Sequence, residues 1–243
     1  MIETEHKLRI DLAAAFRMAA HFDLNEGICN HFSVVLPGAE ARYLINPYGV
    51  HWSEMMPDDL LLLDADGKVI KGSGEVEATA RNIHVAGHRA NPRHVCILHT
   101  HMPFATSLTM IEKGRLEMAH QTATRFYGRT AYEEEFGGLA LDASEGERIA
   151  QGSAERGDAD IVFLANHGVM VGGPSVAVAF DDLYFLERAC RQQVYAMSTG
   201  KALKIIPEAE CRETARQWMQ VLDFQAQEHF KALKRIVTRD LGT

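Results

Sequence analysis

Two uninterrupted apolar runs each lead straight into a histidine-bearing turn. Val95-Cys-Ile-Leu98 is followed by His99-Thr-His101, and Ile161-Val-Phe-Leu-Ala165 is followed by Asn166-His167-Gly168. An apolar run this short that does not alternate with polar residues marks a strand covered on both faces. A chain carrying two of them must build a sheet with helices on either side, which places it in the α/β class. Neither run approaches the roughly 20 apolar residues that a membrane-crossing helix needs.

The remaining segments supply the other layers. Residues 4–22 place Leu8, Ile10, Leu12, Ala15, Phe16 and Ala19 at helical spacing. Phe32-Ser-Val-Val-Leu36 and Tyr43-Leu-Ile45, broken by Pro37-Gly38, predict a strand pair, and Leu60–Leu63 with Lys68-Val-Ile70 across Asp64-Ala-Asp-Gly67 predicts a hairpin. The pattern predicts helices over 75–90, stopped by Asn91-Pro92, over 103–113, 120–128, Ser175–Thr199 and 208–236. The stretch Tyr127–Phe136 reads as an acidic surface loop that could also reach a neighbouring subunit's site. No linker or repeat divides the 243 residues, so a single domain over 1–243 is expected.

Charge and cysteine usage remove several function classes. Twenty-five basic residues against 33 acidic give a net charge of −8, with the basic residues scattered, so neither nucleic acid nor an anionic membrane is an expected partner. The four cysteines lie far apart with no Cys-x-x-Cys pair, which suits a reducing compartment. The acidic N-terminus does not read as a signal peptide, and a cytoplasmic location is expected.

A metal, if held, therefore falls to histidine. Of the twelve histidines, His84, His88, His94, His99 and His101 crowd between residues 84 and 101. On a strand, His99 and His101 point to the same side, so two imidazoles can serve one ion. His167 is the best third ligand, because it too follows a buried strand and precedes a glycine that permits close approach. Three imidazoles leave a coordination position open for substrate, with zinc the best fit and manganese or cobalt alternatives. His84 and His88 form a second candidate pair one helical turn apart, although His84 is expected to pack on the sheet with His88 and His94 solvated.

Asn91-Pro-Arg-His-Val-Cys-Ile-Leu-His-Thr-His-Met-Pro-Phe-Ala-Thr106 and Ala165-Asn-His-Gly168 resemble the class II aldolase/adducin family. Asn30-His-Phe-Ser33 and Ile45-Asn-Pro-Tyr-Gly49 resemble two further elements of it, so the likeness covers most of the chain. The resemblance implies an α/β/α domain around a mostly antiparallel sheet, a homotetramer with sites between subunits, and His99, His101 and His167 as metal ligands. It also implies a lyase that cleaves a carbon–carbon bond of a small hydroxy or keto compound, by retro-aldol reaction or decarboxylation, through a metal-stabilised enediolate. A sugar-phosphate epimerase and an adducin-like scaffold without activity are the alternatives.

Two positions depart from the family pattern. Ala80 stands where the aldolases carry a glutamate base, and Gln121 where they supply a tyrosine. Glu77, one turn before Ala80, is the candidate catalytic carboxylate. Family phosphate-binding elements match Asn46, Gly49 and Thr79, and His31, Ser33 and Gln121 complete the candidate substrate-binding set. Hydroxyls are thinned out among these positions, so His31, Arg81 or Arg125 is offered to hold a substrate carboxylate.

Overall fold

The computed structural model describes residues 2–139, 148 and 159–238. Its strands are β1 (His31–Val35), β2 (Tyr43–Ile45), β3 (Leu61–Leu63), β4 (Val69–Lys71), β5 (Cys96–Thr100), β6 (Thr130–Glu133), β7 (Ile161–Leu164) and β8 (Gly168–Gly173). Its helices are α1 (Ile2–His21), α2 (Ala78–Ala90), α3 (Pro103–Thr109), α4 (Val176–Met197) and α5 (Glu208–Val237). The strands form one sheet in the order β4-β3-β2-β1-β5-β8-β7-β6. Neighbours run antiparallel except β6 and β7, which are parallel.

Strand alternation sorts the side chains onto two faces. Phe32, Val34, Cys96, Leu98, Phe163, Val169 and Val171 face the main core, where α1 contributes Leu12, Phe16 and Ala19 and α4 contributes Phe180, Leu183 and Leu186. Phe16 stacks on Phe32 with ring centroids 4.7 Å apart, and Trp52 closes against both. On the opposite face Ile97, Val162, Leu164 and Met170 meet Ile83 of α2, while Tyr43, Ile45, Leu61 and Leu63 meet its Ala80 and Val85. The central strands β5 and β7 are buried throughout, as their unbroken apolar runs require.

Several boundaries differ from those expected, each for a local reason. Helix α2 begins at Ala78, because Gly74 sits at φ +125° and the Glu75 carbonyl bonds the Tyr48 amide, so Glu75 and Glu77 lie in an extended lead-in. Helix α3 stops at Thr109, and Lys113 at φ +56° turns the chain before Gly114. Residues 120–128 hold only a short 3₁₀ turn, Ala123–Phe126. The Tyr127–Phe136 stretch is no loop, since it contains edge strand β6, with Tyr132 stacked on Phe163 at 5.0 Å.

Strand β8 is absent from the sequence reading because Gly168, Gly172 and Gly173 dilute its apolar character. Gly172 is needed there: a Cβ at this position would lie 2.3 Å from Nδ1 of His94. Both His88 and His94 are buried, contrary to expectation; His88 projects from α2 onto Ser33 and Tyr43 of the sheet, and His94 lies against Gly172.

Candidate metal centre

The end of β5 and the turn between β7 and β8 converge on the α2 side of the sheet. Register pairs His99 with His31 of β1 on one flank and with Met170 of β8 on the other. His101 lies just past the end of β5. His167 occupies the turn Ala165-Asn166-His167, which Asn166 closes in the left-handed region at φ +54°, a conformation asparagine tolerates better than most residues. Gly168 then lets β8 close on β5, since a Cβ there would sit 2.5 Å from the Thr100 carbonyl oxygen and 2.7 Å from Cδ2 of His101.

The result is a three-histidine cluster. One ring nitrogen from each of His99, His101 and His167 lies within 4.8 Å of the others. His99 is buried, and that burial, reinforced by the neighbouring imidazoles, holds it well below the usual histidine range and therefore neutral. Its Nδ1 donates to the Val169 carbonyl at 3.0 Å, and His101 Nδ1 donates to Glu26 Oε2 at 2.5 Å. In the neutral ring, such a donation leaves Nε2 as the lone pair that can ligate an ion.

The two Nε2 atoms face one another at 3.2 Å. With both rings neutral, two lone pairs meet there, an arrangement that a cation between them satisfies. Ligands about 2.0–2.1 Å from a tetrahedral zinc stand roughly 3.3 Å apart, so the spacing fits a divalent ion. The donor set fits as well: three imidazoles, with two anchored through the other ring nitrogen to a carbonyl and a carboxylate.

Glu26 and Asn30 were not visible as site residues in the sequence. Asn30, at φ +79°, accepts through Oδ1 from the amides of Glu26 at 3.0 Å and His101 at 3.3 Å, tying the carboxylate's loop to the metal strand. Asn46, buried, donates to the Asn30 carbonyl and accepts from the Phe32 amide, both at 3.4 Å, so its side chain supports that loop.

The other expected residues scatter. His31 stacks on His99 with centroids 4.9 Å apart, and burial presses it down to about 3, with the charges of His101 and His167 adding to that. Ser33 Oγ is fully buried and engaged by His84 and His88. Glu77 is half-buried at the cap of α2; burial, followed by the charges of Glu77 and Glu26, raises the Cys29 thiol, so both carboxylates act electrostatically on the same thiol. Thr79 is half-buried in the first turn of α2, and Gly49 turns at φ +90° beside the Tyr48–Glu75 bond.

Gln121 is exposed ahead of the 3₁₀ turn. Arg81 lies over Gly67 of the β3–β4 hairpin. Arg125 is unavailable to a substrate: it is buried, with Nε on Asp182 Oδ1 at 2.7 Å and a second guanidinium nitrogen on Asp181. The rival pair His84 and His88 also leaves the ligand set, because their ring nitrogens are spent on His31, Ser33 and the His94 carbonyl.

Residues 10–194 match the family model described as Class II Aldolase and Adducin N-terminal domain. The chain belongs to that family. An aldolase II superfamily protein from Pseudomonas syringae superposes with a TM-score of 0.89 at 32% identity, covering 98% of this chain and 94% of that one. The L-fuculose 1-phosphate aldolase of Glaciozyma antarctica superposes at 0.82 with 25% identity, over 96% of this chain and 90% of its own. Decarboxylase NovR from Streptomyces niveus is 30% identical over 217 residues, 88% of this chain and 78% of that protein. The fold expected from the sequence, an α/β domain around a mostly antiparallel sheet, is thus the fold of the class II aldolase family.

Proposed function

We propose that the protein is a divalent-metal-dependent lyase that breaks a carbon–carbon bond in a small hydroxy or keto compound. The observation that carries this reading is the pair of Nε2 atoms at 3.2 Å, each ring tied through Nδ1 to an acceptor, completed by His167. Three protein ligands with a coordination position left open are the pattern of a catalytic rather than a structural metal site, which favours an enzyme over a scaffold. An aldolase and a decarboxylase among the similar proteins both support carbon–carbon cleavage as the reaction class.

His99, His101 and His167 would hold the ion, zinc by donor chemistry, with manganese or cobalt accommodated by the same ligands. When bound, the ion supplies Lewis-acid polarisation of substrate oxygens. Glu26 keeps the His101 ring oriented through Nδ1. Glu77 is the carboxylate available at the rim for proton transfer, and His31, Gly49 and Thr79 are the proposed substrate contacts. Gln121, exposed in the single subunit, would serve a neighbour's site in a homotetramer. Among the described residues no helix is long and apolar enough to cross a membrane, which fits a small-molecule enzyme of the cytoplasm.

Elemental analysis of protein purified without added metal or chelator tests this, with His167→Ala alongside and both assayed on hydroxy-keto acids. Stoichiometric metal in the wild type, lost together with turnover in the variant, is the expected result. A wild type that binds no divalent ion would overturn the reading.

A further inference from the structure

Behind the cluster runs a line of buried polar side chains that metal ligation does not use. His31 Nδ1 contacts His84 Nε2 at 2.8 Å, His84 Nδ1 contacts Ser33 Oγ at 2.5 Å, and Ser33 Oγ contacts His88 Nε2 at 2.7 Å. The line ends where His88 Nδ1 meets the His94 carbonyl at 2.7 Å. All four side chains are buried between β1 and α2.

The far end fixes the direction of every bond in this line. A carbonyl oxygen only accepts, so His88 carries its proton on Nδ1 and its Nε2 is a bare acceptor. Ser33 has one hydroxyl proton and must give it to that Nε2. Its oxygen then accepts from His84, so His84 also carries its proton on Nδ1 and offers a bare Nε2 to His31. His31 must therefore donate from Nδ1. Among the described residues no carboxylate bonds any ring in the line, so a cationic ring there would be an unpaired buried charge, and burial holds His88 at about 4.

We infer that this line locks His31 in the Nδ1–H form, leaving its Nε2 as a hydrogen-bond acceptor that selects a ligand bearing a hydroxyl donor. Nδ1 is taken by His84, so Nε2 is the ring nitrogen left for a ligand beside His99, on which the His31 ring stacks. The favoured ligand class is accordingly an α-hydroxy acid or α-hydroxy ketone. A keto acid offers no proton to this nitrogen. Ser33, His84 and His88 are positioning residues that act through His31. Placement of the ligand rests on the proposed metal centre, whereas the tautomer of His31 does not.

Two-bond ¹H–¹⁵N correlation on ¹⁵N-histidine-labelled, metal-free protein at pH 7 reads the tautomers directly. His31, His84 and His88 should all be Nδ1–H, and His31 found as Nε2–H overturns the inference. Ser33→Ala removes the acceptor of His84, and His88→Phe removes the acceptor of Ser33 while keeping a ring beside Tyr43. Either change should flip His31 to Nε2–H, and a His31 unmoved in a folded variant also overturns the inference.

Zinc-loaded wild type should then bind lactate about tenfold more tightly than pyruvate, the worth of one good hydrogen bond, and His88→Phe should lose that preference. Equal binding of the two by the wild type overturns the ligand assignment. Failure to load zinc at all would sink the metal centre instead, with the tautomer result standing apart.

Discussion

Replacing Gly168 by alanine tests whether backbone packing between β5 and β8 holds the metal ligands in place. The added Cβ would meet the Thr100 carbonyl oxygen at 2.5 Å and His101 Cδ2 at 2.7 Å, where ordinary contact begins near 3.4 Å. One side or the other must therefore yield by about 0.7–0.9 Å. Thr100 is held in register opposite Val169, so its backbone cannot retreat without loosening the ladder, and the strain falls partly on the His101 ring. Overpacking of this kind costs about 1–3 kcal/mol. Metal distances tolerate only about 0.2 Å, so zinc affinity should fall at least tenfold. Gly38→Ala is the control, because its Cβ would meet nothing closer than 3.8 Å. Urea unfolding gives the stability change, and competition with a chromogenic chelator gives the affinity. A Gly168→Ala protein matching the Gly38→Ala control in both would refute the packing argument.

Glu26→Gln replaces the carboxylate that orients His101 and should weaken zinc by ten- to a hundredfold in the same competition assay, with unchanged affinity showing that Glu26 is a bystander. Arg125→Met strands two buried carboxylates, Asp181 and Asp182, and should lower the unfolding free energy by about 3–5 kcal/mol; a loss under 1 kcal/mol in urea would mean that Arg129 and His229 satisfy them alone. His88, held at about 4 in the fold against about 6.5 unfolded, makes the unfolded chain the better proton binder between those values. Its contribution is complete above pH 6.5 and declines as pH falls towards 4, by about 2.5 kcal/mol between pH 7 and 4.5. His88→Phe should remove that share of the acid sensitivity, and urea midpoints at the two pH values check it.

What the sequence made legible followed from short-range regularities. Two unbroken apolar runs located β5 and β7, and the two-residue period of a strand put His99 and His101 on one side. Strand β8 escaped because three of its six residues are glycine, chosen for what crosses them: His101 and Thr100 at Gly168, His94 at Gly172, Ala179 at Gly173. Glu26 escaped because its partner lies 75 residues away, and Glu26-Gly27 reads locally as a chain break. The expectation of a solvated His88 fails because helical spacing cannot reveal a serine on a facing strand that absorbs its ring nitrogen. The expectation for Arg125 fails for a related reason, since the paired acids Asp181 and Asp182 that occupy it belong to a helix packed across from it.

The alanine at position 80 is explained by the same packing. Ala80 is buried among Tyr43, Ile45, Leu61, Leu63 and Val85, an apolar cluster in which a carboxylate would be desolvated without a partner. A base at that position is incompatible with this face of α2 as it is packed. Acidic groups stand elsewhere, Glu77 at the cap of α2 and Glu26 on His101, and the interior offers His31, kept neutral by burial. The departures from the aldolase pattern and the buried histidine line are thus two sides of one arrangement. The α2 face of β1 and β2 carries an apolar half beneath Ala80 and a hydrogen-bonded half beneath His84 and His88. Among the described residues, the second half is the one that reaches the proposed metal centre, through the stacking of His31 on His99.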